Sequence, residues 1–195
     1  MTRIIISFFV FILSSPLLFS QIKVILDTDP SYDPDDVGCM AMLHALASNG
    51  ECEILAMINS TNQKESVLSI SAINQFFNRG AIPLGDYKGY KEKIDAPPLT
   101  YDYHLANTYP KNLDSWEDSE DGVELYREIL ASAEDTSITI VVIGTMHNLF
   151  GLLQSGADDF SALNGPELVK AKVKQVVTMG GNYLLDFSFY QFRSV

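Results

Sequence analysis

One stretch constrains the whole chain: Ile25-Leu26-Asp27-Thr28-Asp29-Pro30-Ser31-Tyr32-Asp33-Pro34-Asp35-Asp36 places five carboxylates within ten residues. Like charges repel, so this crowding calls for a compensating positive charge, and a hard cation held by oxygen ligands is the simplest. Upstream, Lys23 to Leu26 is short and apolar, which fits a buried strand. Downstream, Val37, Met40, Ala41, Leu43 and Ala47 recur at roughly helical spacing. Asp33 suits the N-cap of that helix and Pro34 its first position. Asp35 and Asp36 then fall in the first turn, where the helix dipole favours negative charge. Capping alone could explain Asp33, Asp35 and Asp36. It does not explain Asp27 and Asp29, which sit at the carboxyl end of the strand, where open α/β sheets bind ligands.

The rest of the chain repeats the strand–helix alternation. Asn49-Gly50 stops the first helix, and Glu53 to Ile58 reads as a second buried strand ending in Asn59-Ser60-Thr61-Asn62. An amphipathic helix is predicted from Lys64 to Asn78, and a short strand at Ile82-Pro83-Leu84-Gly85. Asp86 to Glu120 lacks clear periodicity and is read as a long irregular segment, rich in tyrosine and holding Trp116 and His104. A helix follows from Asp121 to Ala133. Ser137 to Ile143 is a strongly apolar strand running into Gly144-Thr145-Met146-His147-Asn148-Leu149. Asn164-Gly165-Pro166-Glu167 opens another helix before the Val173 to Thr178 strand. Such alternation implies an α/β fold: a Rossmann-like, open, mostly parallel sheet with helices on both faces.

Three blocks together carry a resemblance. Asp27-Thr28-Asp29-Pro30 with Asp35-Asp36 resembles the N-terminal signature of the inosine-uridine preferring nucleoside hydrolases, with Ser31 in place of the usual Gly and two more residues before the Asp pair. Ile143-Gly144-Thr145-Met146-His147-Asn148-Leu149 is similar to the family's Thr-Gly-Pro-Leu-Thr-Asn-Leu segment. Pro166-Glu167-Leu168, Val176-Val177 and Met179-Gly180-Gly181 resemble the third. The resemblance implies hydrolysis of the N-glycosidic bond of a nucleoside or related riboside, with Ca2+ as cofactor. It implies Asp29 as general base and metal ligand, Asp36 as metal ligand and the Ile143 carbonyl as a third. Asp35, Asn62 and Asn182 would bind the ribose, and Asp27 would support the metal-binding groups. His104 matches a histidine that the family places near the substrate, but it reads first as a solvent-facing loop histidine. His147 reads as a residue that opens a helix. Calcium suits hard oxygen donors better than zinc, which would call for a Cys or His cluster.

The chain departs from the family after Asn182. No Glu-x-Asn group follows Met-Gly-Gly, and family members are well over half again as long, so the expectation is the N-terminal portion only of the domain, over residues 21–195. An incomplete, non-catalytic calcium or ribose binder is therefore a second reading. A fainter resemblance of Asp27-Thr28-Asp29 to haloacid dehalogenase-type phosphatases, which use magnesium, is a third.

Residues 1–20 read as a signal peptide: Arg3, then an apolar run from Ile4 to Leu13, then Ser20 before Gln21. The mature protein is expected to be exported, with no stable membrane association after cleavage. A net charge of −12 argues against nucleic acid as a partner. The resemblance allows a homo-oligomer for a full-length chain. Cys39 and Cys52 lack the spacing of a metal or redox motif, and a disulfide or two free thiols are both compatible with export.

Overall fold

The computed structural model describes residues 21–31, 34–91 and 100–179. Among them, six strands form one all-parallel sheet in the order β4-β3-β2-β1-β5-β6. The strands are β1 (Ile22–Thr28), β2 (Cys52–Asn59), β3 (Leu84–Asp86), β4 (Glu120–Asp121), β5 (Ile138–Val142) and β6 (Val173–Thr178). The helices are α1 (Asp35–Ser48), α2 (Lys64–Phe76), α3 (Tyr101–Thr108), α4 (Gly122–Ser132), α5 (His147–Gln154) and α6 (Gly165–Lys172). The expected α/β architecture is the one found.

β1 lies at the centre because its side chains are apolar on both faces, as a strand covered by helices on each side requires. Ile25 and Leu26 point to opposite faces. Ile25 joins Ile58, Tyr126, Leu130, Ile140 and Leu152 under α4, α5 and α6. Leu26 joins Met40, Met57, Val67 and Ile70 under α1 and α2. Both are fully buried, and each contributes about 2 kcal/mol of transfer free energy.

Register then carries the polar residues to one level. Asp27 stands opposite Ile58 and Val142, Thr28 opposite Asn59, and Asn59 opposite Asp86. The carboxyl ends of β1, β2, β3 and β5 thus meet along one rim of the sheet.

Three expectations need correction or bounds. The first helix starts at Asp35, with Pro34 in the cap position and no side-chain cap. The proline closes the loop one residue later than a capping Asp33 would. Asp35 and Asp36 still occupy the first turn. The segment after β3 is also more ordered than its sequence suggests: it contains α3, a 3-10 turn at Trp116–Asp118 and β4. α3 is eight residues long, too short to be stable alone. It packs on α2, where Asp102 accepts a hydrogen bond from the Ser66 hydroxyl at 2.9 Å and Ala106 is buried. The signal peptide, Asp33 and Asn182 lie outside the described residues. Cys39 and Cys52 are both free thiols. No helix of the described residues is long and apolar enough to cross a membrane.

One long connection is pinned by charge. Arg127 on α4 is 2 % exposed, yet its guanidinium spans the 155–163 loop. It forks onto the Asp158 carboxylate, and donates to Ser155 Oγ at 2.8 Å, Ser161 O at 3.3 Å and Leu163 O at 3.0 Å.

Candidate active site

The rim of the sheet is built from its strand ends outward. Asp27, the penultimate residue of β1, is fully buried. Tyr126, from α4, donates its hydroxyl to Asp27 Oδ2 at 3.1 Å, while Oδ1 accepts no hydrogen bond. Burial pushes the Asp27 carboxyl up to about 7, the neighbouring Tyr126, Ser60 and Asn148 side chains pull it back in part, and the charge on Asp29 raises it further. Burial and Asp27 together push the Tyr126 hydroxyl well above its usual range. A cation near Asp27 would reverse the first effect, since opposite charge favours the ionised carboxylate.

Asp36 ties the acidic loop to the strand. It is buried in the first turn of α1, and its Oδ1 accepts from the Thr28 hydroxyl and from the Asp29 backbone N–H at 3.2 Å. Asp29 is half-buried beside Gly144. A Cβ on Gly144 would stand 2.8 Å from Asp29 Cγ and 2.6 Å from Ser60 Oγ, so only glycine lets the β5–α5 turn approach this closely. Ile143 donates its N–H to Asp27 O at 2.9 Å.

Asp27, Asp29, Asp36 and Ile143 are thus brought to one place by β1, α1 and the end of β5. Asp35 is exposed one residue before Asp36. Asn62 is half-buried in the turn after β2. By type, the two carboxylates and one carbonyl expected for calcium are hard oxygen donors, and the orphaned Oδ1 of Asp27 beside them is an atom that a cation would relieve. Among the described residues, no three Asp, Glu, His or Cys side chains gather tightly enough to hold a metal by themselves.

Several residues of this rim are not among the expected site residues. Asn148, at the start of α5, donates to Asn59 O at 2.9 Å, and Asn59 in turn donates to Asp86 Oδ1 at 2.7 Å. Asp86 is fully buried and pairs with Lys91 at 2.8 Å. Burial raises its carboxyl, and Lys91 and Asn59 oppose that shift. Burial likewise lowers the Lys91 ammonium, against the pull of Asp86. Asp86 directly follows the predicted Ile82-Pro83-Leu84-Gly85 strand and closes the observed one, a strand-end place that the sequence already offers. The partnership of Tyr126 with a residue 99 positions away is not legible in the sequence.

The histidines separate. His104 is exposed on α3, where it meets Thr108 and the edge of Tyr109. His147 opens α5 and stacks on Tyr87, ring centroids 4.8 Å apart. Thr145 Oγ1 donates to Ser60 O at 2.8 Å, and His147 Nδ1 lies 3.2 Å from that carbonyl and 2.9 Å from Thr145 Oγ1. Nδ1 is thus the ring nitrogen engaged by the Ser60 and Thr145 oxygens.

No protein-family model matches the chain, and no curated protein matches it significantly. Solved structures do match. A plant nucleoside hydrolase, the PpNRh1 enzyme, is 26 % identical with a TM-score of 0.55, over 82 % of this chain and 48 % of that one. The fold is that of the nucleoside hydrolases. The purine-preferring ribonucleoside hydrolase from Gardnerella vaginalis aligns with a TM-score of 0.57 at 20 % identity, over 82 % of this chain and 49 % of that one. The type III effector XopQ, solved with adenosine diphosphate ribose, aligns with a TM-score of 0.63 at 18 % identity, over 90 % of this chain and 47 % of that one. The chain spans about half the length of these structures. Asp27 and Asp29 lie at the carboxyl end of β1, where a parallel sheet presents its ligand-binding crevice, and Asp36 meets them from the first turn of α1.

Proposed function

We propose that the chain carries the part of an N-riboside hydrolase site that is built on β1, α1 and the β5–α5 turn. The observation that carries this reading is the convergence of Asp27, Asp29 and Asp36 at the end of β1, with Gly144 against Asp29, in a nucleoside hydrolase fold. Asp29 and Asp36, with the Ile143 carbonyl, would hold calcium. When bound, calcium supplies a positive charge that anchors ribose hydroxyls and acidifies water. Asp29 takes the proton of the attacking water as its oxygen bonds to the anomeric carbon. The carboxylates around that carbon stabilise the positive charge it develops as the bond to the base breaks. Asp35 binds a ribose hydroxyl from the exposed first turn of α1, and Asn62 and Asn182 complete the ribose contacts. Asp27 acts through Asp29 and is a positioning residue. Export through the signal at residues 1–20 would deliver the protein to a calcium-rich compartment.

The test is a rate assay on a ribonucleoside panel, with calcium and with a chelator, beside a panel of phosphate esters. Nucleoside hydrolysis that stops on chelation and returns with calcium is the expected result, and Asp29→Asn should lower it by roughly 10²–10⁴-fold. Phosphate-ester hydrolysis alone would sink this reading. A second reading is a riboside binder without turnover, favoured by the similarity to an effector solved with adenosine diphosphate ribose. Tight riboside binding with no hydrolysis would select it.

A further inference from the structure

The chain is strongly acidic, yet one small volume beside the site is basic. Lys64, Lys88 and Lys91 place their ammonium groups 5.3, 5.1 and 5.5 Å from the centroid of Trp116. Asp86 is the carboxylate paired with this group, 2.8 Å from Lys91 and 4.0 Å from Lys88. The acidic side chains of the 3-10 turn, Glu117 and Asp118, accept hydrogen bonds from Ser115 and form no ion pair with these lysines. Among the described residues, three ammonium groups thus share a single paired carboxylate, in a chain whose net charge is −12.

Ordinary structural needs account for part of this. Lys88 donates to Trp116 O and Ser119 Oγ, both at 2.9 Å, and Lys91 to Thr61 O at 3.1 Å, so these two staple the loops after β2 and β3. A cation–π contact with Trp116 contributes to each. Lys64 is different. It is exposed, and it is the first residue of α2, where the helix dipole disfavours a cation. Its favourable contact is the Trp116 ring; among the described residues no carboxylate pairs with it, and its charge adds to the repulsion that Lys91 already feels from Lys88. An anion bound among the three would offset all of these costs.

The position of the cluster selects the anion. Lys91 pairs with Asp86, Asp86 with Asn59, and Asn59 with Asn148, which lies beside Asp27. The lysines therefore border the same rim as the carboxylates, on its β2–β3 side. We propose that Lys64, Lys88 and Lys91 form, around Trp116, a subsite for the phosphate of a phosphorylated riboside. The proposal rests on the riboside reading above and extends it: the preferred ligand carries a negative charge that a free nucleoside lacks.

Trp116 is the chain's single tryptophan, so its emission reports on this site alone. The experiment is a fluorescence titration of the whole chain with adenosine, ribose 5-phosphate, adenosine diphosphate ribose and inorganic phosphate. Both phosphorylated ribosides are expected to change Trp116 emission saturably and to bind at least tenfold more tightly than adenosine. Inorganic phosphate should compete with them more weakly. Lys64→Gln, an exposed change that leaves the Asp86 pair intact, should weaken the phosphorylated ligands about tenfold, as expected for one lost charge-assisted hydrogen bond, and leave adenosine unchanged. Lys88→Gln should do the same. Equal affinity for adenosine and its phosphorylated counterparts would overturn the proposal, as would indifference to Lys64→Gln. Inorganic phosphate binding as tightly as either riboside would also overturn it, as the mark of a general anion site. Because binding is read without turnover, a failed hydrolysis assay leaves this result standing, and a failed titration leaves the hydrolase reading standing.

Discussion

Two buried charges in this molecule are treated in opposite ways. Arg127 is almost wholly enclosed, yet its guanidinium faces a carboxylate, a hydroxyl and two carbonyls. Asp27 is as deeply enclosed, but it faces only neutral polar groups, one of its oxygens has no hydrogen-bond partner, and the charge that acts on it is another carboxylate, Asp29. A fully matched charge holds a fold together. A mismatched one costs stability in the folded protein and persists where a ligand supplies what is missing. The two clusters differ without reference to any relative: the Arg127 cluster holds a loop in place, and the Asp27 cluster is where the proposed site is built.

The largest effect should come from breaking the matched charge. Arg127→Met keeps much of the side-chain volume but abandons Asp158 and the carbonyls of Ser161 and Leu163. Loss of a buried charged donor to a hydroxyl and two carbonyls costs roughly 2–3 kcal/mol. A urea unfolding curve should show it as a lower midpoint at unchanged slope. A loss of under about 1 kcal/mol would mean that the loop is held by packing and that the contrast with Asp27 is weaker than drawn.

The mismatched charge should respond in the opposite direction. The Asp27 pKa is raised, from 3.8 to about 7, so the folded protein holds a proton there that the unfolded chain has released. Stability from this group is therefore fully present below about pH 4 and is lost as the pH rises through about 7. Asp27→Asn removes the titration. Without metal, the variant should match the parent at pH 4 and exceed it at pH 8 by roughly 1–2 kcal/mol, the scale of an unmet buried polar group. Calcium added at pH 8 should stabilise the parent more than the variant. A variant that is less stable than the parent at both pH values would show that Asp27 is structurally matched after all.

The same contrast explains what could be read from the letters. β1, the acidic loop and α1 were legible because periodicity and strand-end position are local signals, and Asp27, Asp29 and Asp36 came with them. The cap was misplaced by one residue because Pro34 suits either position by its fixed φ. α3 was missed because its stability comes from packing on α2, and its own pattern is weak. Tyr126 and Asn148 stand beside Asp27 only once the sheet is assembled, and the first reads as one more apolar position of a helical stripe. Ser60 and His147 meet across 87 residues. The lysines around Trp116 come from the start of α2 and from the loop after β3, and their indole from the 3-10 turn. Local sequence identified the charges that stand close in the chain, and tertiary structure supplied those that answer them.

The smallest effect concerns the outer partner of Arg127. The guanidinium beside Asp158 holds its carboxyl down at about 2, with the Ser161 and Phe160 N–H groups helping. Here the sign reverses: a depressed carboxylate contributes stability above its unfolded value of 3.8, and that contribution is lost as the pH falls through about 2. Asp158 is 31 % exposed, so water screens the pair and the gain is modest. Asp158→Asn keeps the shape and one acceptor for the Arg127 fork, and should lower the melting temperature at pH 7 by less than Arg127→Met does. Thermal melts between pH 5 and pH 2 should then show a shallower acid limb for the variant than for the parent. If the acid limb is unchanged, the Arg127 donors draw their support from the backbone carbonyls, and it is the loop's shape, more than its charge, that satisfies the buried guanidinium.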